Sequence, residues 1–256
     1  MYAEERQQAI ADQVHMHGRA SVTALAERFE VTGETVRRDL AVLERAGRLQ
    51  RVHGGAVRPG VGDIVDEQGI DVRETSHIDE KAAIGRAAAR FLPVDGGSVI
   101  VDAGTTTYQA ARSVPADRRL TFITNSLPVA GVLTGYQRST LTMLGGRVRG
   151  LTQAAVGADT ISALDRLRVS TAFVGTNGIT EGHGLSTPDT EEAAVKAAIV
   201  RSAQRVVVLA DSSKMGRQDL VSFGGIDDID VLITDAGIDP DLSAALSARG
   251  IEVVIA

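Results

Sequence analysis

The stretch Val31-Thr32-Gly33-Glu34-Thr35-Val36-Arg37-Arg38-Asp39-Leu40, followed by Leu43 and by Gly47-Arg48-Leu49-Gln50-Arg51-Val52-His53-Gly54-Gly55-Ala56-Val57, decides how this chain is read. Thr32 stands where a helix N-cap belongs, its hydroxyl placed to accept an amide of the first turn. Val36, Leu40 and Leu43 recur at i, i+4 and i+7, so one face of this helix turns inward. Gly33, Glu34, Thr35, Arg37 and Arg38 fill the first two turns and mostly face outward. A recognition helix needs that placement, because it enters the major groove with its N-terminal residues against base edges. Arg37 or Arg38 suits a bidentate pair with guanine, and Thr35 suits a thymine methyl or a phosphate. An ordinary three-helix surface with solvated arginines has the same local pattern. The next residues favour the DNA reading: Gly47–Val57 reads as a strand, a Gly-Gly hairpin and a second strand, which together make a wing. Arg48 and Arg51 are placed there to meet phosphate or the minor groove. His53, beside Gly54, is either a plain hairpin residue or a further DNA contact.

Two helical patterns precede this stretch. Ile10 and Val14 lie four apart in the first, and Gly18 supplies its stop. Ser21 then caps a second helix whose apolar face is Val22, Leu25, Ala26 and Phe29. The helix-turn-helix spans about residues 20–39. The candidate DNA-binding residues are Ser21, Thr32, Gly33, Glu34, Thr35, Arg37, Arg38, Arg48, Arg51, His53 and Gly54.

The formal net charge of -6 over 256 residues would argue against DNA binding if it were evenly spread. It is not. Residues 32–58 carry six arginines against Glu34, Asp39 and Glu44, whereas the chain beyond residue 58 is acidic. A small basic patch joined to an acidic body suits a DNA reader attached to something else. The apolar fraction of 43% supports a packed core, and no run approaches the roughly 18 apolar residues of a membrane span. The chain lacks cysteine, which excludes disulfides and thiolate zinc sites. The first residues lack a secretory pattern, so the expected location is the cytoplasm. The histidines have no metal-site spacing, and neither a metal nor a cofactor is expected.

Residues 59–72, rich in Gly and Asp at their start, read as a linker between a DNA-binding domain (1–58) and a larger domain (73–256). A helix is expected from about Asp79 to Phe91. From there short apolar runs alternate with alanine-rich helices. The strands expected are Ser98–Val101, Leu120–Thr124, Leu141–Leu144, Ala172–Val174, Val206–Leu209, Val231–Thr234 and Glu252–Ile255. This is the pattern of βαβ units and a mostly parallel sheet, so the class is α/β. Ligands of such sheets bind beyond the carboxyl ends of the strands. Small and polar residues gather there, in Asp102-Ala103-Gly104-Thr105-Thr106-Thr107, Thr124-Asn125-Ser126, Gly145-Gly146-Arg147, Gly175-Thr176-Asn177-Gly178 and Asp211-Ser212-Ser213-Lys214. The first of these offers amides and hydroxyls at a helix start, a cradle for phosphate. It is neither a GxGxxG nor a Walker loop. The candidate effector-binding residues are Asp102, Gly104, Thr105, Thr106, Thr107, Asn125, Ser126, Gly145, Gly146, Arg147, Gly175, Thr176, Asn177, Lys196 and Lys214. Any one of these strand ends fits a simple helix cap, and Lys214 also fits a solvated loop lysine.

The stretch quoted at the outset resembles the N-terminal signature of the DeoR/GlpR family of repressors. The second half resembles that family's effector domain at Glu80-Lys81, the Asp102–Thr107 loop, Thr124-Asn125-Ser126, Gly145-Gly146, Gly157, Gly175–Gly178, Gly184–Thr187, Glu191-Glu192, Lys196 and Asp211–Lys214. The resemblance implies a fold similar to ribose-5-phosphate isomerase and the coenzyme A transferases. It implies a repressor of sugar uptake or catabolism, nearest to actinobacterial phosphotransferase and fructose regulators. The partners then expected are a double-stranded DNA operator and a phosphorylated sugar, with a fructose phosphate first among the candidates. Paired half-sites imply a homodimer or homotetramer, and no membrane partner is expected. The competing reading is an isomerase-like enzyme fused to a DNA-binding module. Isomerisation needs a general base, and the Gly175–Gly178 loop holds no carboxylate. Asp189, Glu191 and Glu192 are more simply read as charges complementing a helix N-terminus.

Overall fold

Thr32 Oγ1 accepts the amide of Thr35 at 3.2 Å, and Ser21 Oγ accepts that of Ala24 at 3.1 Å, so both expected caps form. The computed structural model describes residues 3–17, 19–29, 31–52, 55–57 and 69–256. They belong to two compact units that divide between residues 63 and 64. The first contains α1 (Ala3–His17), β1 (Arg19–Ser21), α2 (Val22–Phe29), α3 (Gly33–Arg45), β2 (Gln50–Val52) and β3 (Gly55–Val57). Ile10, Val14, Leu25, Val36, Leu40, Leu43, Leu49 and Ala56 close its core. The wing strands β2 and β3 pair antiparallel, and β1, which the sequence pattern did not reveal, adds to β3 on the other side. That pairing demands glycine at position 55, where a Cβ would lie 2.3 Å from the Ala20 carbonyl oxygen. Gly18, His53 and Gly54 lie outside the described residues.

Asp39, one of the acids of the basic stretch, is buried. It is 4% exposed and accepts from Arg6 Nε at 2.6 Å and from Gln7 Nε2 at 2.9 Å, which fastens α1 to α3. Its charge is thus spent inside the unit and does not dilute the arginines on the outer face of α3. Asp39→Ala is expected to lower stability by about 1–3 kcal/mol, the usual effect of removing a hydrogen bond to a charged group. Asp39→Asn should lose less, since an amide oxygen keeps one acceptor. Thermal denaturation of the two variants checks this ordering.

The second unit runs α4 (Ile70–Glu74), α5 (Ile78–Ala88), β4 (Ser98–Val101), α6 (Thr105–Arg112), β5 (Thr121–Thr124), α7 (Leu127–Leu133) and β6 (Thr140–Met143). There follow β7 (Arg147–Arg149), β8 (Ala154–Val156), α8 (Ala158–Leu164), β9 (Thr171–Gly175), β10 (Gly178–Thr180), β11 (Gly184–Thr187) and α9 (Thr190–Ser202). Last come β12 (Val206–Leu209), β13 (Val221–Gly224), β14 (Val231–Thr234), α10 (Pro240–Ala248) and β15 (Glu252–Ile255). The seven strands expected from the sequence form one parallel sheet in the order β15-β14-β12-β9-β4-β5-β6. Its central strands are apolar on both faces because helices cover both. Val99, Val101, Phe173, Val207 and Ile233 pack toward α5, α6 and α7, whereas Ile100, Ala172, Val174, Val208 and Leu232 pack toward α8, α9 and α10. Gly85 lets α5 approach α6, since a Cβ there would stand 2.6 Å from the Gln109 carbonyl carbon. The short antiparallel strands β7, β8, β10, β11 and β13 were not expected. They are three or four residues long and carry little apolar alternation.

Chain order along the sheet reverses at β4. The chain leaves it outward through β5 and β6, then returns to its other side through β9 and β12. Crevices open at such switch points, beyond the strand carboxyl ends. Residues 70–72, the first turn of α4, were expected in the linker. They belong to this unit instead: Ile70 is buried and its amide donates to the Leu151 carbonyl at 3.0 Å.

Candidate functional site: an exposed recognition helix and a cationic cleft

In the first unit, the inward residues of α3 are buried and its first two turns present Glu34, Arg37 and Arg38 to solvent. The Arg37 and Arg38 side chains are 59% and 80% exposed and stand 3.6 Å from Glu34. Such exposed pairs contribute little and yield readily to a competing anion. Arg48, just past the helix, is also exposed. Thr35 is less available than expected, because its hydroxyl lies 3.0 Å from that of Thr32 within the cap. Arg51 lies on β2, as expected of a wing residue.

In the second unit, the ends of β4, β9 and β12 meet α4 and α5 around a cleft of two adjoining chambers. Arg73, Lys81 and Lys214 line the first, together with Thr105, Thr106 and the Gly175–Thr176 backbone. Gly104, Thr105 and Thr106, at the start of α6, line the same space. Arg73, Gly104 and Thr105 also line the second chamber, where Thr152, Asn177, Glu192 and Lys196 join them.

Burial sets the charges of the first chamber. Desolvation lowers Lys81 to about 8, with the neighbouring Asp211 opposing the shift and Lys214 and Arg73 adding to it. Lys214 is lowered for the same leading reason. Asp211 is 1% exposed. Its Oδ1 accepts from Ser213, and its Oδ2 has no hydrogen-bond partner among the described residues. Lys81 Nζ also donates to the Arg73 carbonyl at 2.6 Å and to the Ser76 carbonyl at 2.7 Å. One ammonium therefore both faces the chamber and pins the backbone of the segment that enters this unit. A dianionic phosphate among Arg73, Lys81 and Lys214 would gain charge-assisted hydrogen bonds.

The floor is a buried ion pair. Lys196 donates to Asp102 and, at 2.9 Å, to the Gly175 carbonyl, while the Gly175 amide donates to Asp102 at 3.2 Å. Burial pushes the Asp102 carboxyl up, and Lys196 opposes that shift. Asp102 thus ties β4 to β9 and α9 beneath the cleft, and it is not presented to a sugar hydroxyl as expected.

Gly104, Thr105, Thr106, Gly175, Thr176, Asn177, Lys196 and Lys214 come together as the sequence suggested. The ends of β5 and β6 do not join them. Ser126 caps α7, and Asn125 Nδ2 donates to the Ala155 carbonyl at 3.3 Å. Gly145 accepts from Thr160, Gly146 packs against Val156 and Thr160, and Arg147 pairs with Glu191. Thr107 is fully buried and bonded to the Gly104 carbonyl. These six residues support the cleft without lining it. Conversely, Arg73, Ser76, His77, Lys81, Thr152 and Glu192 line it and were not among the candidates. A signal existed for two of them: Lys81 shares the buried stripe of α5 with Ile84, Gly85 and Ala88, and Glu192 shares that of α9 with Val195 and Ile199. A charge on an inward stripe marks a partner or a site.

A winged helix-turn-helix with exposed arginines, followed by an α/β unit with an anion-suited cleft, defines a ligand-responsive class of DNA-binding transcriptional regulator. The DeoR-like helix-turn-helix domain matches residues 6–60 and the DeoR C-terminal sensor domain matches residues 76–236, and the chain belongs to the DeoR family. It is 35% identical over 254 residues to the HTH-type transcriptional regulator GlpR of Haloferax volcanii, covering 99% of this chain and 98% of that one. It is 33% identical over 244 residues to the lactose phosphotransferase system repressor of Streptococcus mutans, covering 94% and 96%. Ribose 5-phosphate isomerase A from Methanocaldococcus jannaschii gives a TM-score of 0.41 at 19% identity, covering 55% of each chain. Among the described residues, no helix is long and apolar enough to cross a membrane.

Proposed function

We propose that this protein represses genes of sugar uptake or breakdown and that a phosphorylated sugar bound in the cleft sets its affinity for the operator. The observation that carries the reading is the convergence of Arg73, Lys81 and Lys214 on the first turn of α6 at the sheet's switch point. The cations and the helix start there are chemically suited to a phosphate group. The Streptococcus mutans relative is a lactose phosphotransferase system repressor, which supports the same reading. A fructose phosphate is the first ligand to test, and the assembly proposed is a cytoplasmic homodimer or homotetramer. Residues 1–58 carry the operator contacts in this reading, and the sensor begins at α4 rather than at residue 73. Lys81 supplies the link, because an anion drawing its ammonium inward competes with the Arg73 and Ser76 carbonyls that it now holds. Coupling of this kind typically amounts to about 1–3 kcal/mol.

The cleft is proposed as a sensor and not a catalytic site. Asp102 is engaged by Lys196, and Glu192 by Thr152 and Arg149, which leaves neither poised to take a carbon-bound proton. Turnover of a sugar phosphate by the purified chain would restore the isomerase reading.

Lys214→Ala is expected to weaken sugar-phosphate binding about 10- to 100-fold, the equivalent of a charged hydrogen bond of about 1.5–3 kcal/mol. DNA affinity without ligand should be unchanged. Ligand affinity should also fall as pH rises through about 8, where Lys81 loses its proton. It should fall again below about 6, where the phosphate loses its second charge. Calorimetry at several pH values reads both. Equal affinity for a sugar and its phosphate would overturn the assignment.

A further inference from the structure

We propose that Asp211 is a positioning residue of the anion site: it seats Lys214 at the chamber and sets a buried carboxylate beside Lys214 and Lys81, so that both meet a ligand as cations. The inference rests on the phosphate reading of the first chamber and assigns what keeps that chamber receptive. Ala210 and Lys214 line the chamber, whereas Asp211, between them in the chain, is 1% exposed and does not. Its Oδ1 accepts from the Ser213 amide at 3.2 Å and from the Ser213 hydroxyl, and its backbone carbonyl accepts from the Lys214 amide at 3.0 Å. These bonds close the 3-10 turn Ser212–Lys214. Asp235, just past β14, grips the same turn: its Oδ1 accepts from the Ser212 amide at 2.6 Å and its Oδ2 from the Ser212 hydroxyl at 2.8 Å. Lys214 therefore reaches the chamber from a fastened turn.

Capping that turn needs one oxygen and no charge, since serine and asparagine cap about as well as aspartate. Asp211 Oδ2 has no hydrogen-bond partner among the described residues, and a buried carboxylate oxygen left so is costly. The cations nearby offset that cost. Burial lowers Lys81 and Lys214, and Asp211 is the largest influence holding each of them up. Lys214 and Arg73 repel Lys81, while Glu80 attracts it, and Glu74 and Arg112 line an adjoining groove with it. Arg217 and Arg73 repel Lys214, and Asp219, which attracts it, is already paired with Arg217 at 3.1 Å. Without the Asp211 charge, burial and mutual repulsion would discharge the lysines nearer neutral pH, and the chamber would lose part of its hold on an anion.

Asp211→Asn keeps a capping oxygen and removes the charge. Calorimetry on the full chain with fructose 1-phosphate, fructose 6-phosphate and inorganic phosphate, from pH 6.5 to pH 8, reads the consequence. At pH 6.5 the variant's lysines stay largely protonated and the anion no longer meets a neighbouring carboxylate, so affinity should stay within about threefold of the wild type. As pH rises the variant's lysines discharge first, and the ratio of variant to wild-type affinity should fall about threefold or more by pH 8. Taking the ratio cancels the titration of the ligand and of His77, which also lines the chamber. Asp211→Ala loses the cap as well and should weaken binding about five- to tenfold at pH 6.5, with the same trend above it. Asp211→Ser, which keeps a capping oxygen on a smaller side chain, gives the same pH reading if Asp211→Asn does not fold. A ratio that is constant with pH would make Asp211 a structural cap and overturn the proposal, as would failure of both capping variants to fold. Failure of all three compounds to bind the wild type would instead overturn the phosphate reading on which it rests.

Discussion

Lys196→Met is expected to destabilise the sensor unit by about 3–5 kcal/mol, the usual consequence of removing one partner of a buried ion pair. For a unit of this size, that lowers the thermal midpoint by roughly 10 °C. Asp102 is 1% exposed, and without Lys196 only the Gly175 amide remains to hold its charge. Burial then pushes its carboxyl further up than in the wild type. A carboxyl raised above its unfolded value of about 3.9 favours the folded state below that pH and loses the advantage as pH rises through its folded value. The deficit of Lys196→Met should therefore be smallest near pH 4 and deepen toward pH 8. Adding Asp102→Asn should recover much of the loss and flatten the pH dependence, because Asn keeps an acceptor for Gly175 without a charge. Denaturant titrations at pH 5 and 8 on the three proteins measure this. A deficit that shrinks with rising pH would show that Asp102 is not the charge left unmatched.

The double substitution Arg37→Ala, Arg38→Ala should abolish most operator affinity while leaving stability nearly unchanged. Both side chains are exposed and their pairs with Glu34 are long, so the fold loses little. If either reads guanine, its loss costs about 1–3 kcal/mol at the proper site. If either meets phosphate, binding to every sequence weakens and the salt slope falls by about 1 for each contact. The two roles separate in a gel-shift series over salt with operator and random duplexes. Unchanged affinity for both duplexes would remove α3 from the interface.

The two units differed in how much of them could be read before folding was considered. In the first, capping hydroxyls, the 3.6-residue stripe and the strand-turn-strand pattern of the wing are local features, and α2, α3 and the wing strands follow from them. Gly55, however, expected in the turn, stands in β3 opposite Val52. What escaped was β1, three residues whose only reason to be extended is their pairing with β3, and the burial of Asp39 against α1. In the second unit the seven β-branched runs all became strands of one sheet, since a strand buried on both faces is apolar whatever its neighbours are. The cleft was half legible. The loops after β4 and β9 announced themselves by composition, as did Lys214.

The sequence by itself determined the helix-turn-helix, the strands of the parallel sheet, the outward arginines of α3 and the family, because each depends on residues a few positions apart; the short antiparallel strands needed their partners. Only the tertiary structure decided which strand ends share a cleft. Sheet order carries β4, β9 and β12 to the switch point, whereas β5 and β6 lie toward the edge, so Asn125 and Gly145 support the cleft without lining it. Only the tertiary structure placed Arg73 and Lys81 across from Lys214, more than 130 positions away in the chain. It also turned Asp102 from an expected ligand contact into the buried partner of Lys196. A polar residue at a strand end looks the same in sequence whether it faces solvent, a ligand or a buried charge. The difference lies in desolvation, which depends on what the rest of the chain packs above it.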